Sequence, residues 1–254
     1  MKTAIEFRNV SFAVAQGRPL LDQVSSALEE GTTTALLGRS GSGKTTLLRT
    51  VNRMVEPTGG DVLVHGQSVR RCDLIGLRRG MGYVIQETGL FPHFTVERNV
   101  ALVLEAEGRP RIERLRRSHE WLEAVGLEPA EFAPRFPHQL SGGQRQRVGL
   151  ARALAADPRI LLMDEPFGAL DPLTRAEMQD MLRGLLARWK KTVLLVTHDL
   201  DEALYLADRI VFIREGKLIS NLAPAEFLRS QEPEIESYVR AFHRGESAAR
   251  KELA

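Results

Sequence analysis

An apolar run from Thr32 to Leu37 stops at Gly38-Arg39-Ser40-Gly41-Ser42-Gly43-Lys44-Thr45, and the helix-forming Thr46-Leu47-Leu48-Arg49 follows at once. The spacing is G-x-x-x-x-G-K-[ST], in the strand-then-helix context that gives the pattern its meaning. Glycines let the backbone turn tightly with successive N–H groups facing inward, and the following helix adds its positive N-terminal end. The segment Gly38 to Thr46 is therefore a cage for phosphate oxygens. Lys44 brings a charge for the β- and γ-phosphates of a nucleoside triphosphate, and the Thr45 hydroxyl is placed to ligate Mg²⁺.

Around this loop, short apolar runs alternate with longer helical patterns, which is the signature of an α/β fold. Thr32 to Leu37, Ile160 to Met163, Thr192 to Thr197 and Ile210 to Ile213 are apolar enough for a parallel sheet covered on both faces. Ile5 to Phe12 and Leu20 to Leu28 predict antiparallel strands, and Pro57-Thr58-Gly59-Gly60 predicts a turn before the strand Asp61 to Val64. From Phe94 to Ala156 helical patterns dominate, broken at Arg109-Pro110, Pro134 and Pro137, where proline opposes helix continuation. Met178, Met181, Leu182, Leu185, Leu186 and Trp189 recur at helical spacing and predict a core-facing stripe. The expected organisation is one domain over 1–254. It has a nucleotide-binding core with a β subdomain at 1–93 and 157–222, a helical insertion at 94–156, and a short helical tail at 223–254.

Two further strand ends carry chemistry. Ile160-Leu161-Leu162-Met163 runs into Asp164-Glu165, and ligands in open α/β sheets gather beyond the carboxyl ends of strands. Asp164 is expected near Mg²⁺, and Glu165 is expected to take a proton from an attacking water. His198 ends the run Thr192 to Thr197 and is expected at the same edge, where it could hydrogen-bond a γ-phosphate or position the water. Gln86 follows the predicted strand Gly82 to Ile85 and offers an amide to the metal or the water. Leu140-Ser141-Gly142-Gly143-Gln144 opens a helix that runs to about Ala156, so a capping hydroxyl and free N–H groups make a second anion site. It would close over the nucleotide within the chain or from another copy.

With that segment the chain resembles the nucleotide-binding subunit of ATP-binding cassette (ABC) transporters over nearly its whole length. The resemblance rests on Gly38 to Thr45, Gln86, Leu140 to Gln144, Asp164-Glu165, Ala169-Leu170-Asp171 and His198, in the family's order. It implies a P-loop NTPase (RecA-like) core with an N-terminal antiparallel β subdomain and an inserted α-helical subdomain. It also implies a head-to-tail homodimer with two ATP molecules and Mg²⁺ at the interface. Each ATP would be held by one subunit's phosphate loop and by Ser141, Gly142 and Gly143 of the other. In that scheme Glu165 is the general base, His198 senses the γ-phosphate, Asp171 lies in the loop crossing the dimer seam, and Gln86 links the site to the membrane partner. One position departs from the pattern: the adenine-stacking aromatic is replaced by Val14, and Phe12, two residues away, is the candidate substitute.

Gly82 to Gln86 with Gly89-Leu90-Phe91-Pro92-His93, Phe136-Pro137-His138-Gln139, and Asp164 to Pro172 resemble the importer branch for glycine betaine and other quaternary amine osmoprotectants. That implies separate integral membrane permease subunits, an extracytoplasmic substrate-binding protein, and a peripheral position on the cytoplasmic face of the membrane. Relatives in the branch often carry a C-terminal regulatory module for which 254 residues leave no room, so regulation without one is expected. Composition agrees with this reading. No stretch approaches the roughly 20 apolar residues of a membrane span. The single Cys72 forms no internal disulfide and fits a reducing compartment. Lys and Arg (35) nearly cancel Asp and Glu (33), which gives no global field for nucleic acid, and no nucleic-acid partner is expected. A soluble cassette protein acting on DNA or ribosomes usually fuses two cassettes or inserts long coiled coils, and neither is present. A guanine-specific switch would need an Asn-Lys-x-Asp segment, which is lacking. Two stretches read two ways: Phe91, Phe94 and Val96 as a groove for a membrane-subunit helix or as packing inside the insertion, and Arg109 to Arg117 as a solvated helix face or a lipid-headgroup contact.

Overall fold

The computed structural model describes residues 2–14, 19–86 and 88–252, with residues 243–252 described as backbone only. Two sheets form the frame. The smaller, with strand order β2-β1-β4-β5, is antiparallel and contains β1 (Thr3–Ala13), β2 (Pro19–Glu29), β4 (Gly59–Val64) and β5 (Gln67–Ser68). The larger contains β3 (Thr33–Leu37), β6 (Met81–Val84), β7 (Ile160–Asp164), β8 (Thr192–Thr197), β9 (Arg209–Arg214) and β10 (Lys217–Leu222), in the order β10-β9-β3-β8-β7-β6. Its strands run parallel except β10, which returns antiparallel to β9. The expected P-loop NTPase core, antiparallel β subdomain and helical insertion are all present.

Every residue of β3, β7 and β8 is buried. Alternation along these strands sorts their side chains onto two covered faces. Leu36, Ile160, Leu162, Leu194 and Val196 pack toward the small sheet and helix α1 (Lys44–Val51). Leu161, Met163, Val193 and Leu195 pack toward the insertion and the long helix that follows β7. That insertion holds α3 (Val96–Ala106), α4 (Arg111–Ala124), α5 (Pro129–Phe132) and α6 (Gly142–Leu154), after the short α2 (Leu74–Arg79). The breaks fall where proline was expected to place them: Pro110 caps α4, and Pro137 opens a single 3₁₀ turn before α6.

The predicted stripe lies on α7 (Pro172–Trp189). Met178, Leu182 and Leu185 are buried, Met181, Leu186 and Trp189 pack at the rim, and Trp121 tilts against Trp189 at 4.8 Å between ring centroids. Ala35, Leu37, Ile210 and Phe212 face α8 (Leu200–Leu206), α9 (Pro224–Leu228) and α10 (Pro233–Glu252) in a third apolar cluster. The predicted tail is thus helical, with Leu253 and Ala254 outside the described residues.

Two stretches that read two ways can be placed in the fold. Val96 is fully buried in the insertion, whereas Phe91 is 41% exposed and stacks on Phe94, with the Arg98 guanidinium 3.9 Å over the Phe94 ring. In the basic run, Arg109, Arg114, Arg116 and Arg117 all form ion pairs with Glu105, Glu107, Glu113 or Glu120, as a solvated helix face does. Among the described residues no helix is long and apolar enough to cross a membrane.

Candidate nucleotide site

Four adjacent strand ends build the site. Across the sheet, Leu37 at the end of β3 pairs with Thr197 of β8, Val196 pairs with Asp164 of β7, and Met163 pairs with Val84 of β6. This register brings the loop after β3, His198 after β8, Asp164-Glu165 at β7 and Gln86 after β6 to one edge. Strand β6 stops at Val84, so Gln86 stands two residues beyond it on an exposed turn.

The loop depends on its glycines. A Cβ on Gly38 would come within 2.2 Å of the Ile213 carbonyl oxygen, and one on Gly43, where φ is +102°, within 2.4 Å of the Leu20 carbonyl oxygen. The backbone is therefore pressed between β9 and β2 while its N–H groups lead into α1. Lys44 is buried and its Nζ donates to the carbonyls of Gly38 (2.8 Å) and Arg39 (2.9 Å). Burial pulls its ammonium below the usual lysine range, and the carboxylates of Glu165 and Asp164 oppose that shift. The Ser42 hydroxyl is buried with no hydrogen-bond partner inside the protein. An orphaned buried hydroxyl in this position is a polar group waiting for an external acceptor or donor.

Thr45 Oγ1 donates to Asp164 Oδ1 at 2.7 Å, and the other carboxylate oxygen lies 3.3 Å from Arg49 Nη2 and 3.4 Å from the Tyr83 hydroxyl. Arg49 and Tyr83 were not singled out from the sequence. The available signal was Arg49's place one helical turn after Thr45, on the same face of α1. The donor set suits Mg²⁺: hard oxygens from one hydroxyl and one carboxylate, side by side and next to a phosphate cage. Among the described residues no group of three or more His, Cys, Asp or Glu side chains is arranged as a metal cluster.

Immediately after Asp164 the chain reverses. Glu165 adopts left-handed backbone with φ of 47°, held by its N–H donating to the Val196 carbonyl at 3.0 Å. A non-glycine residue in that region costs on the order of 1–3 kcal/mol and persists where its surroundings enforce it. Here it carries the Glu165 carboxylate toward the β8 edge, with Oε2 3.3 Å from His198 Nδ1. A Cβ on Gly168 would lie 3.6 Å from Gln86 Nε2 and 3.7 Å from Glu165 Oε2, so the amide and the carboxylate flank one glycine.

Leu140 to Gln144 stands apart from this cluster. Leu140 is buried, and Ser141 caps α6 with a reciprocal box: Gln144 N donates to Ser141 Oγ at 3.2 Å, and Ser141 N donates to Gln144 Oε1 at 2.9 Å. Ser141 and Gly142 are exposed, and nothing lies within 4 Å of a Cβ built on Gly142, while Gly143 is packed against Thr174. Further along α6, Gln146 donates to the Pro166 carbonyl and ties the insertion to the turn after Glu165. Asp171 caps α7 by accepting from Thr174 N at 3.1 Å, and its contacts with Thr174 lower its pKa. On the small sheet, Phe12 is half-buried against the core, and Val14, 56% exposed, lies just past the end of β1.

A protein-family model described as "ABC transporter" matches residues 21–168. The choline transport ATP-binding protein OpuBA of Bacillus subtilis is 42% identical over 236 residues, covering 92% of this chain and 62% of that protein. The glycine betaine uptake system ATP-binding protein YehX of Escherichia coli is 45% identical over 226 residues, covering 88% and 72%. Among solved structures, the dimeric post-hydrolysis state of the ATP-binding cassette MJ0796 bound to ADP and Pi superposes with a TM-score of 0.78 at 35% identity, over 87% of this chain and 98% of that one. The chain spans about three-fifths of the length of several curated relatives it matches. With a matching family model, curated relatives above 40% identity and a shared P-loop architecture, this chain belongs to the ABC transporter family as an ATP-binding subunit.

Proposed function

We propose that this chain hydrolyses ATP to energise an importer of quaternary amine osmoprotectants, such as glycine betaine or choline, through separate membrane subunits. The observation that carries the ATPase part is the meeting of the phosphate loop, Asp164-Glu165, His198 and Gln86 at four neighbouring strand ends. The solute class is supported by the relatives named for choline and glycine betaine transport. The dimeric state of the MJ0796 cassette supports pairing of two copies.

In this reading Lys44 exchanges its two carbonyl contacts for phosphate oxygens, and the phosphate-loop N–H groups and the Ser42 hydroxyl complete the cage. Thr45, Asp164 and Gln86 would hold Mg²⁺, which when bound neutralises charge on the β- and γ-phosphates. Glu165 accepts the proton of the attacking water, and His198, beside its Oε2, orients the carboxylate and contacts the γ-phosphate. The helix start at Ser141, Gly142 and Gly143, exposed at Ser141 and Gly142, docks on the nucleotide of a second copy, and Asp171 lies on the loop at that seam. The complex sits at the cytoplasmic face of the membrane through permease subunits and receives solute from an extracytoplasmic binding protein. The test is to purify the chain with its permease and binding protein and measure ATP consumption with single solutes. A quaternary amine that raises the rate supports the reading. Stimulation by a solute of another class, with none by quaternary amines, would contradict it.

A further inference from the structure

Helix α10, which carries none of the motif residues, also reaches the site. Tyr238 on α10 donates its hydroxyl to the backbone carbonyl of His198 at 2.6 Å. Its ring packs edge-on against Phe212 of β9, with centroids 5.1 Å apart and planes at 63°, and Phe212 in turn meets Phe227 of α9. The same ring lines a cavity of about 290 Å³ together with Arg39 to Ser42 of the phosphate loop. One aromatic residue thus touches the β8 loop and borders the nucleotide cage.

The carbonyl it holds is significant because His198 is otherwise loosely fixed. Its imidazole is more than half exposed and has the 3.3 Å contact with Glu165. The next residue has its own anchors: Asp199 N donates to Thr197 Oγ1 at 3.0 Å, and Asp199 Oδ2 lies 3.4 Å from Arg175 Nη1. Tyr238 adds a hydrogen bond to the carbonyl of His198 itself. Burial, with the nearby Asp199 carboxylate, pushes its phenol up to about 12, so it stays a neutral donor across the physiological range.

We propose that Tyr238 is a positioning residue for the ATPase step, holding the His198 loop through its carbonyl so that the imidazole faces Glu165 and the γ-phosphate. The inference rests on the ATPase reading above and extends it to an element outside the family's motifs. It assigns Tyr238 no contact with the reacting atoms.

Tyr238→Phe removes one oxygen and leaves the ring on Phe212, so it separates the hydrogen bond from the packing. Two readouts on the full chain are needed. The first is hydrogen exchange of the backbone from Thr197 to Leu200 without nucleotide, which depends on the clamp and not on turnover. It should be faster in the variant by about three- to tenfold, the equivalent of one lost hydrogen bond. The second is ATP hydrolysis, in which kcat should fall by about three- to tenfold while KM for ATP stays at its wild-type value and the melting temperature falls by no more than about 4 °C. Unchanged exchange overturns the inference whatever the ATPase does. Faster exchange with unchanged kcat overturns it as well, as does a fall in kcat matched by weaker ATP affinity. A wild-type chain that consumes no ATP even at concentrations that pair subunits would instead sink the ATPase reading, and the exchange result would still report whether the clamp exists.

Discussion

Glu202 on α8 gives the sharpest energetic prediction. It is 5% exposed, one of its carboxylate oxygens has no hydrogen-bond partner, and its N–H caps onto Asp199. Burial, reinforced by the Asp199 carboxylate, raises its pKa from 4.5 to about 8, with Thr197 and Arg175 opposing. The folded chain therefore keeps a proton that the unfolded chain sheds above pH 4.5. The associated stability is fully present below that pH and is lost as pH rises toward 8. At ~1.4 kcal/mol per pH unit, the loss between pH 5 and pH 8 is about 3 kcal/mol, a large part of the 5–15 kcal/mol typical of a domain. Glu202→Gln has no proton to lose, so comparing the two chains cancels the titrating groups that do not interact with Glu202. Urea unfolding at pH 5, 6, 7 and 8 should show the variant gaining on wild type by about 1 kcal/mol per unit. Parallel stability curves would refute the reasoning and mean that Glu202 is ionised and compensated in the fold.

Three other substitutions test separate links. Lys44→Ala removes the charge at the centre of the cage and should weaken ATP binding by roughly 10- to 100-fold, measured by calorimetric titration; unchanged affinity would contradict its phosphate role. Gly82→Ala in β6 places a methyl 2.4 Å from the Ala153 carbonyl oxygen and 2.8 Å from Leu161 Cδ1. It should cost about 1–3 kcal/mol in denaturant unfolding, and wild-type stability would show that the strand shifts freely. Val14→Tyr supplies the missing aromatic and should raise ATP affinity by about tenfold; competition binding against GTP that shows no gain for ATP would place the base elsewhere.

The buried centre of the fold was readable because its physics is local. β3, β7 and β8 are short, mostly apolar runs buried at every residue, so period and length sufficed, and the chemistry-bearing residues end each strand or follow it closely in sequence. Lys217 to Leu222 escaped notice because β10 is an antiparallel edge strand with mixed, half-buried residues, a pattern indistinguishable from a polar loop. Phe91, Phe94 and Val96 could not be sorted from spacing alone, since burial of Val96 and exposure of Phe91 depend on how the insertion folds back on itself. Within the site, the Tyr83 and Arg49 contacts to Asp164, the Arg175 to Asp199 pair and the Tyr238 clamp join residues 24 to 115 positions apart. Such contacts exist only once the sheet order β3-β8-β7-β6 is set.

The most direct test of two copies enclosing ATP is the mass of Glu165→Gln with and without nucleotide, by light scattering after gel filtration. The variant should bind ATP, hydrolyse almost none, and run as a dimer with MgATP and a monomer without it. Adding Ser141→Arg should return it to monomer while leaving ATP bound. A Glu165→Gln chain that stays monomeric when saturated with ATP, or that turns ATP over at the wild-type rate, would contradict the account.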